Sequence, residues 1–156
     1  EQAYWQGDEV RAERALEAAL AIEDDRYTRA VLADLRLDQG KPAAGDDLHA
    51  ALAELARGDE GEAVRRVEAA FADSRARGDR VHQREESRFW LARGDRLRAL
   101  ACARENFGVQ REPWDARVLL EAARTRAEAA PALAWLAQTG FASPRLRALA
   151  ARLEAP

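Results

Sequence analysis

Two histidines, one cysteine and a crowd of arginines are the residues of this chain with chemistry to offer. His49 and His82 fall on different predicted helices. Neither has a second strong ligand four residues away, the spacing that sets two donors on one helical face for zinc. His82 with Glu85 or Glu86 is the nearest approach to a ligand pair, and a solvated helix face is the expected reading of it. Cys102 stands beside Leu100 and Ala103 in a helical stretch, where a small packing residue is expected. A nucleophile there would need a base and an electropositive setting. The sequence contains no Gly-rich phosphate loop, nucleophile elbow or paired-carboxylate motif. It points to no catalysis, no metal and no cofactor.

The arginines are the least ordinary feature. Arg75, Arg77, Arg80, Arg84, Arg88, Arg93, Arg96 and Arg98 crowd one region against Asp79, Glu85, Glu86 and Asp95. Arg80, Arg84 and Arg88 recur every fourth residue and form a stripe on one helix. One reading is a basic clamp for an acidic or C-terminal carboxylate ligand, with Leu91 as the neighbouring apolar contact. The other, and the weightier, is a solvated face paired to its own glutamates. If a clamp exists, Arg84 and Arg88 carry it from adjacent turns. Reversing both to glutamate is expected to leave helicity intact and to weaken an acidic ligand by more than about tenfold. Trp5, Trp90, Trp114 and Trp135 occur at helix-packing spacing rather than clustered with basic residues. They are expected in the core and between repeats, not as a platform for bases.

What must position these residues is a set of helices. Alanine, leucine, arginine and glutamate dominate, all strong helix formers, and no Val/Ile/Thr run alternates as a half-buried strand would. The reading is all-α. At 156 residues the chain fits one domain, and its net charge of −3 gives no global field toward nucleic acid or a membrane. No apolar run approaches the roughly 20 residues needed to span a bilayer. A single cysteine excludes an internal disulfide. The sequence starts at Glu1 and contains no methionine, so a fragment whose start and any targeting signal have been removed is expected.

The chain repeats itself. Gly58-Asp59 and Gly94-Asp95 are 36 residues apart, and Gly7 and Gly40 are 33 apart, each about the length of one helix-turn-helix unit. At each Gly-Asp the glycine is expected to end a helix in left-handed geometry and the aspartate to cap the next. Asp59 with Glu62 reads as a capping box. Helices are expected over 8–23, 26–38, 46–57, 60–76, 80–92, 95–107, 114–123, 126–138 and 143–153. Their apolar stripes run through Ala12, Ala15, Leu16, Ala19 and Leu20; Val31, Leu32 and Leu35; Leu48, Ala51, Leu52 and Leu55; Ala63, Val64, Val67, Ala70 and Phe71; and Leu97, Leu100, Ala103 and Phe107. Pro113 is placed to start a helix, Thr125 and Glu128 to box one, and Ser143-Pro144 to open the last. Pro131 is expected to kink its helix. Residues 39–47 are irregular, as if a second helix were missing between Gly40 and Asp46.

These residues resemble tetratricopeptide repeats. Aligned on Gly-Asp, one second helix matches through Ala12, Leu16 and Ala19, another through Ala63, Val67 and Ala70. The unit around Gly94 matches at Ala99 but carries Ala103 and Asn106 next. The last has Arg124-Thr125 in place of Gly-Asp, followed by Ala129, Leu133 and Leu136. Residues 40–46 fit worst, and the family's proline after the second helix is absent from every unit. Units are placed at about 1–23, 26–57, 46–76, 80–107 and 114–138, with a capping helix over 143–154. The stretch from the 70s to 123 is similar to the C-terminal part of exported bacterial members, which implies an upstream signal peptide, further repeats and an exported or periplasmic setting.

The resemblance implies a right-handed solenoid of antiparallel helix pairs. In the family such arrays curve around a groove lined mainly by first helices, and positions equivalent to Arg84 and Arg88 face it. The function expected is a non-catalytic scaffold for a peptide or partner helix. The alternative is a regulatory or nucleic-acid-binding helical domain using residues 75–98. Near the N-terminus, segment 1–7 is read as the tail of a first helix. The apolar face with Leu16 and Leu20 is then expected to lie open for upstream repeats or for a second copy in a homodimer.

Overall fold

The computed structural model describes residues 1–154 of the chain, and these are helical throughout their ordered elements. The helices are α1 (Gln2–Trp5), α2 (Glu9–Ile22), α3 (Arg26–Asp38), α4 (Asp47–Ala56), α5 (Glu62–Ala76), α6 (Gln83–Ala92), α7 (Arg96–Val109), α8 (Pro113–Ala122), α9 (Ala130–Thr139) and α10 (Pro144–Ala151). Among the described residues the one β contact is a parallel bridge between Thr125 and Glu154. The chain divides into two compact units, Glu1–Asp79 and the part from Arg80 onward. In the first, α1 packs on α2, α2 on α3, α3 on α4 and α4 on α5. In the second, α6 packs on α7 and α8, α7 on α8, and α8 on α9 and α10.

One turn recurs. Gly7, Gly58, Gly78 and Gly94 each follow a helix with φ between 75° and 82°, a conformation that costs a side chain but not glycine. The aspartate after each sends its N–H back five residues: Asp8 to Ala3, Asp59 to Glu54, Asp79 to Ser74 and Asp95 to Trp90, at 2.9–3.0 Å. That bond satisfies a carbonyl the helix end would otherwise leave open. Gly78-Asp79 makes the same turn, although the repeat spacing alone does not single it out. Asp8 and Asp95 then cap α2 and α7 by accepting from Arg11 and Arg98 N–H, each at 3.1 Å.

Asp59 does not cap α5. That helix begins at Glu62 with Gly61 before it, and its first N–H groups are served from α4. Glu54 accepts from Ala63 N–H at 3.3 Å and Val64 N–H at 3.0 Å. These two bonds, chiefly the one from Val64, hold its carboxyl below its ordinary range. A Cβ on Gly61 would lie 2.6 Å from that carboxylate, so glycine is there to let Glu54 in.

The second helix of each hairpin buries the same positions. Five residues past the turn glycine stand Ala12, Ala63 and Ala99; nine past it stand Leu16, Val67 and Ala103; all six are buried. Small residues let paired helices approach closely. In α6 and α7 the approach is visible as Ser87, fully buried, donating its hydroxyl to the Ala99 carbonyl at 2.8 Å.

Several expectations are corrected. Leu16 is buried, so the α2 face is covered at that point by this chain itself; Leu20 is half-buried, and Val10, Ile22 and Tyr27 are the exposed large side chains of this region. Ala15, Ala19 and Ala70 are exposed, because their stripes are narrower than drawn. Leu97 is 74% exposed, since α7 is turned to bury Ala99, Leu100, Ala103, Asn106 and Phe107. Thr125 and Glu128 do exchange capping bonds, but they close a turn, and α9 starts only at Ala130. Pro131 therefore sits at the helix entrance, where it needs no N–H partner, and produces no mid-helix kink.

Candidate functional site

A polar cluster built around the buried His49 lies in the first unit. Asp46 is the N-cap of α4 and accepts from the backbone N–H of His49 at 3.2 Å. The His49 ring turns back on the same carboxylate, with Nδ1 2.7 Å from Asp46 Oδ1. Its other nitrogen, Nε2, lies 3.0 Å from Oδ1 of Asp34 on α3. His49 and Asp34 are both buried. A neutral imidazole has one N–H and would turn a lone pair toward one of the carboxylates. The doubly protonated ring satisfies both. Burial pushes His49 toward neutrality, but the hydrogen bonds to Asp34 and then Asp46 outweigh it, raising its pKa from 6.5 to about 9. The His49 hydrogen bond in turn lowers Asp46 from 3.8 to about 2.

The sequence reading did not connect these residues. Asp34 is 15 positions from His49, and only the packing of α3 on α4 brings them together. Gly45 is part of the arrangement, since a Cβ there would lie 2.5–2.7 Å from the His49 ring and its Cβ. Nδ1 also lies 3.3 Å from the Asp46 backbone N–H, so both ring nitrogens are engaged within the cluster itself. The ring is a charged strut between two helices.

Of the arginine stripe only Arg84 and Arg88 lie on α6 in the second unit; Arg80 falls in the connection before it, because the helix starts at Gln83 rather than at residue 80. Arg84 is half-buried, and its guanidinium is shared among Glu85 at 3.4 Å, Asp115 at 3.5 Å and Glu112 at 3.9 Å. Asp115 is fully buried and also accepts from Asn106 Nδ2 at 2.8 Å and Glu112 N–H at 2.9 Å. Reversing Arg84 therefore sets a carboxylate against a buried carboxylate, and the variant does not leave the packing of α6 on α8 untouched. Arg88 is half-buried and has interactions of its own. Arg80 binds Glu105 at 2.8 Å, Arg96 binds Glu128 at 3.1 Å, and Arg98 binds Asp95 at 3.1 Å while lying 4.6 Å over the Trp90 ring.

Glu86 is buried and accepts from Trp90 Nε1 at 3.0 Å, which takes it away from His82, itself exposed before α6. Trp5 and Trp90 are buried; Trp114 and Trp135 are half-buried, the latter edge-on to Phe107 at 6.4 Å. Cys102 is half-buried in α7. Among the described residues no group of three His, Cys, Asp or Glu side chains is placed to hold a metal ion, and no helix is long and apolar enough to cross a membrane.

Leu91 is placed where the others are not. It lines a cleft of about 350 Å³ with residues from the C-terminal ends of α8 and α10. Helix-by-helix reading offered no signal for this cleft, because its walls are some 30 and 60 residues from Leu91 in sequence. Comparison with protein-family models, with curated proteins and with solved structures finds no match to the chain.

Proposed function

We propose that the chain is a tetratricopeptide-like array of helical hairpins serving as a non-catalytic protein-interaction scaffold, which takes a peptide or partner helix in a concave groove. The observation that supports this most is the repeated hairpin. The same left-handed glycine and back-bonded aspartate follow α1, α4 and α6, and the next helix buries the same two positions each time. One hairpin cannot bury its apolar face alone, so such units are built to stack. A right-handed stack presents its first helices along one side, and extended segments or amphipathic helices are what such a side fits.

The pairing of Arg80, Arg84, Arg96 and Arg98 with carboxylates of their own unit favours this reading over a nucleic-acid-binding domain built on residues 75–98. The test is to pan a displayed-peptide library against the full chain and then titrate salt against the peptides recovered. A shared side-chain requirement with shallow salt dependence is expected. Binding only to polyanions, indifferent to sequence and falling steeply with salt, overturns it. A turnover abolished by one point change overturns it too.

A further inference from the structure

The cleft at Leu91 lies wholly in the second unit. Four leucines line it: Leu120, buried, and Leu91, Leu149 and Leu153, half-buried. Two exposed arginines, Arg124 and Arg152, line it as well. Their backbones are fixed. Arg124 N–H donates to Glu128 at 2.7 Å, its carbonyl accepts from Glu154 N–H at 2.9 Å, and Arg152 N–H donates to the Leu149 carbonyl at 3.1 Å. Among the described residues neither guanidinium engages a carboxylate.

Two acidic residues share the cleft. Glu121 is spent on Arg117, whose Nε donates to it at 2.7 Å. Glu154 is exposed, its backbone bound into the bridge with Thr125. Among the described residues, two arginines outside any ion pair thus line the cleft with one carboxylate outside any ion pair, that of Glu154. Both arginines lie just past the ends of α8 and α10, where a helix favours positive charge, but that interaction leaves the planar donor fork unused. The volume is at the lower end of ligand clefts and suits one or two side chains. No aromatic ring lines it, so it offers nothing for a base to stack on.

We propose that this cleft takes a short peptide segment in which a leucine-sized side chain stands beside an acidic one, the apolar group entering among the four leucines and the carboxylate held by Arg124 and Arg152. The proposal rests on the scaffold reading and gives its partner a chemistry. A guanidinium beside apolar surface is weakly hydrated, so a carboxylate there forms charge-assisted bonds with little competing water.

The test uses three blocked, fluorescein-labelled heptapeptides on the full chain: leucine with glutamate, leucine with lysine, and serine with glutamate. Anisotropy gives affinity, and amide chemical shifts locate the contact. The leucine–glutamate peptide is expected to bind, shifting amides at 91, 120–124 and 149–154, with the other two at least about tenfold weaker. Arg124→Glu with Arg152→Glu should invert the preference toward lysine while leaving amide shifts of the first unit unchanged. Equal affinity for the glutamate and lysine peptides, or a preference that survives the double reversal, overturns the proposal. Shifts confined to another face overturn the cleft while leaving a peptide-binding scaffold standing. No binding by any of the three up to about 1 mM also overturns it, and the library panning then decides the scaffold by itself.

Discussion

Raising the pH should loosen the first unit through one residue, His49. Its pKa rises from 6.5 in the unfolded chain to about 9 in the folded one, because two carboxylates outweigh burial. A group whose folded pKa is raised contributes stability that is fully present below 6.5 and is lost as pH climbs through about 9. That interval is worth about 3 kcal/mol at roughly 1.4 kcal/mol per pH unit. At acid pH the cluster is limited by Asp46, whose lowered carboxyl contributes above 3.8 and is lost as pH falls through about 2. The two shifts describe one ion pair and are not added. Urea unfolding followed by circular dichroism and by hydrogen exchange in α3 and α4, at about pH 6 and about pH 9.5, reads the loss directly. The control is Asp34→Asn with His49→Gln, which removes the charge from both buried partners. His49→Leu alone should be worse than the double change at neutral pH, by about 3–5 kcal/mol relative to the native chain, because it takes the charged His49 partner away from the buried Asp34 carboxylate. A double variant that loses stability with pH as steeply as the native chain would refute the reasoning. So would a native His49 that titrates near 6.5 by NMR.

Gly45→Ala should push the His49 ring off Asp46, since the new Cβ meets the ring at 2.5–2.6 Å. The His49 pKa should fall from about 9 toward 6.5 in an NMR titration. Gly61→Ala should evict the Glu54 carboxylate from the start of α5 and lower Tm by a few degrees. In a Glu54→Ala background the same change should have almost no effect, because no cap is left to lose. Ser87→Leu should force α6 from α7 at a fully buried position and cost about 1–3 kcal/mol in denaturant unfolding, whereas Ser87→Ala should cost about 1 kcal/mol for the lost bond to Ala99.

Interactions that run three or four residues along the chain are legible in the sequence. The left-handed glycines after α1, α4 and α6, the caps Asp8 and Asp95, Pro113 at a helix start and Ser143 before Pro144 are all local, and each is found where its residue type predicts. The all-α class follows from the same short-range preferences. Contacts set by the rotation and height of one helix against another were beyond that reading. Asp34 meeting His49, Glu54 reaching forward to cap α5, Arg84 settling on Asp115 and Leu97 turning outward each depend on helix placement to within a fraction of a turn. A helix advances 100° per residue, so a small error in its rotation exchanges a buried side chain for an exposed one. The glycines divide on the same line. Gly7, Gly58 and Gly94 are legible because φ requires them, while Gly45 and Gly61 exist for side chains that only the folded chain brings near.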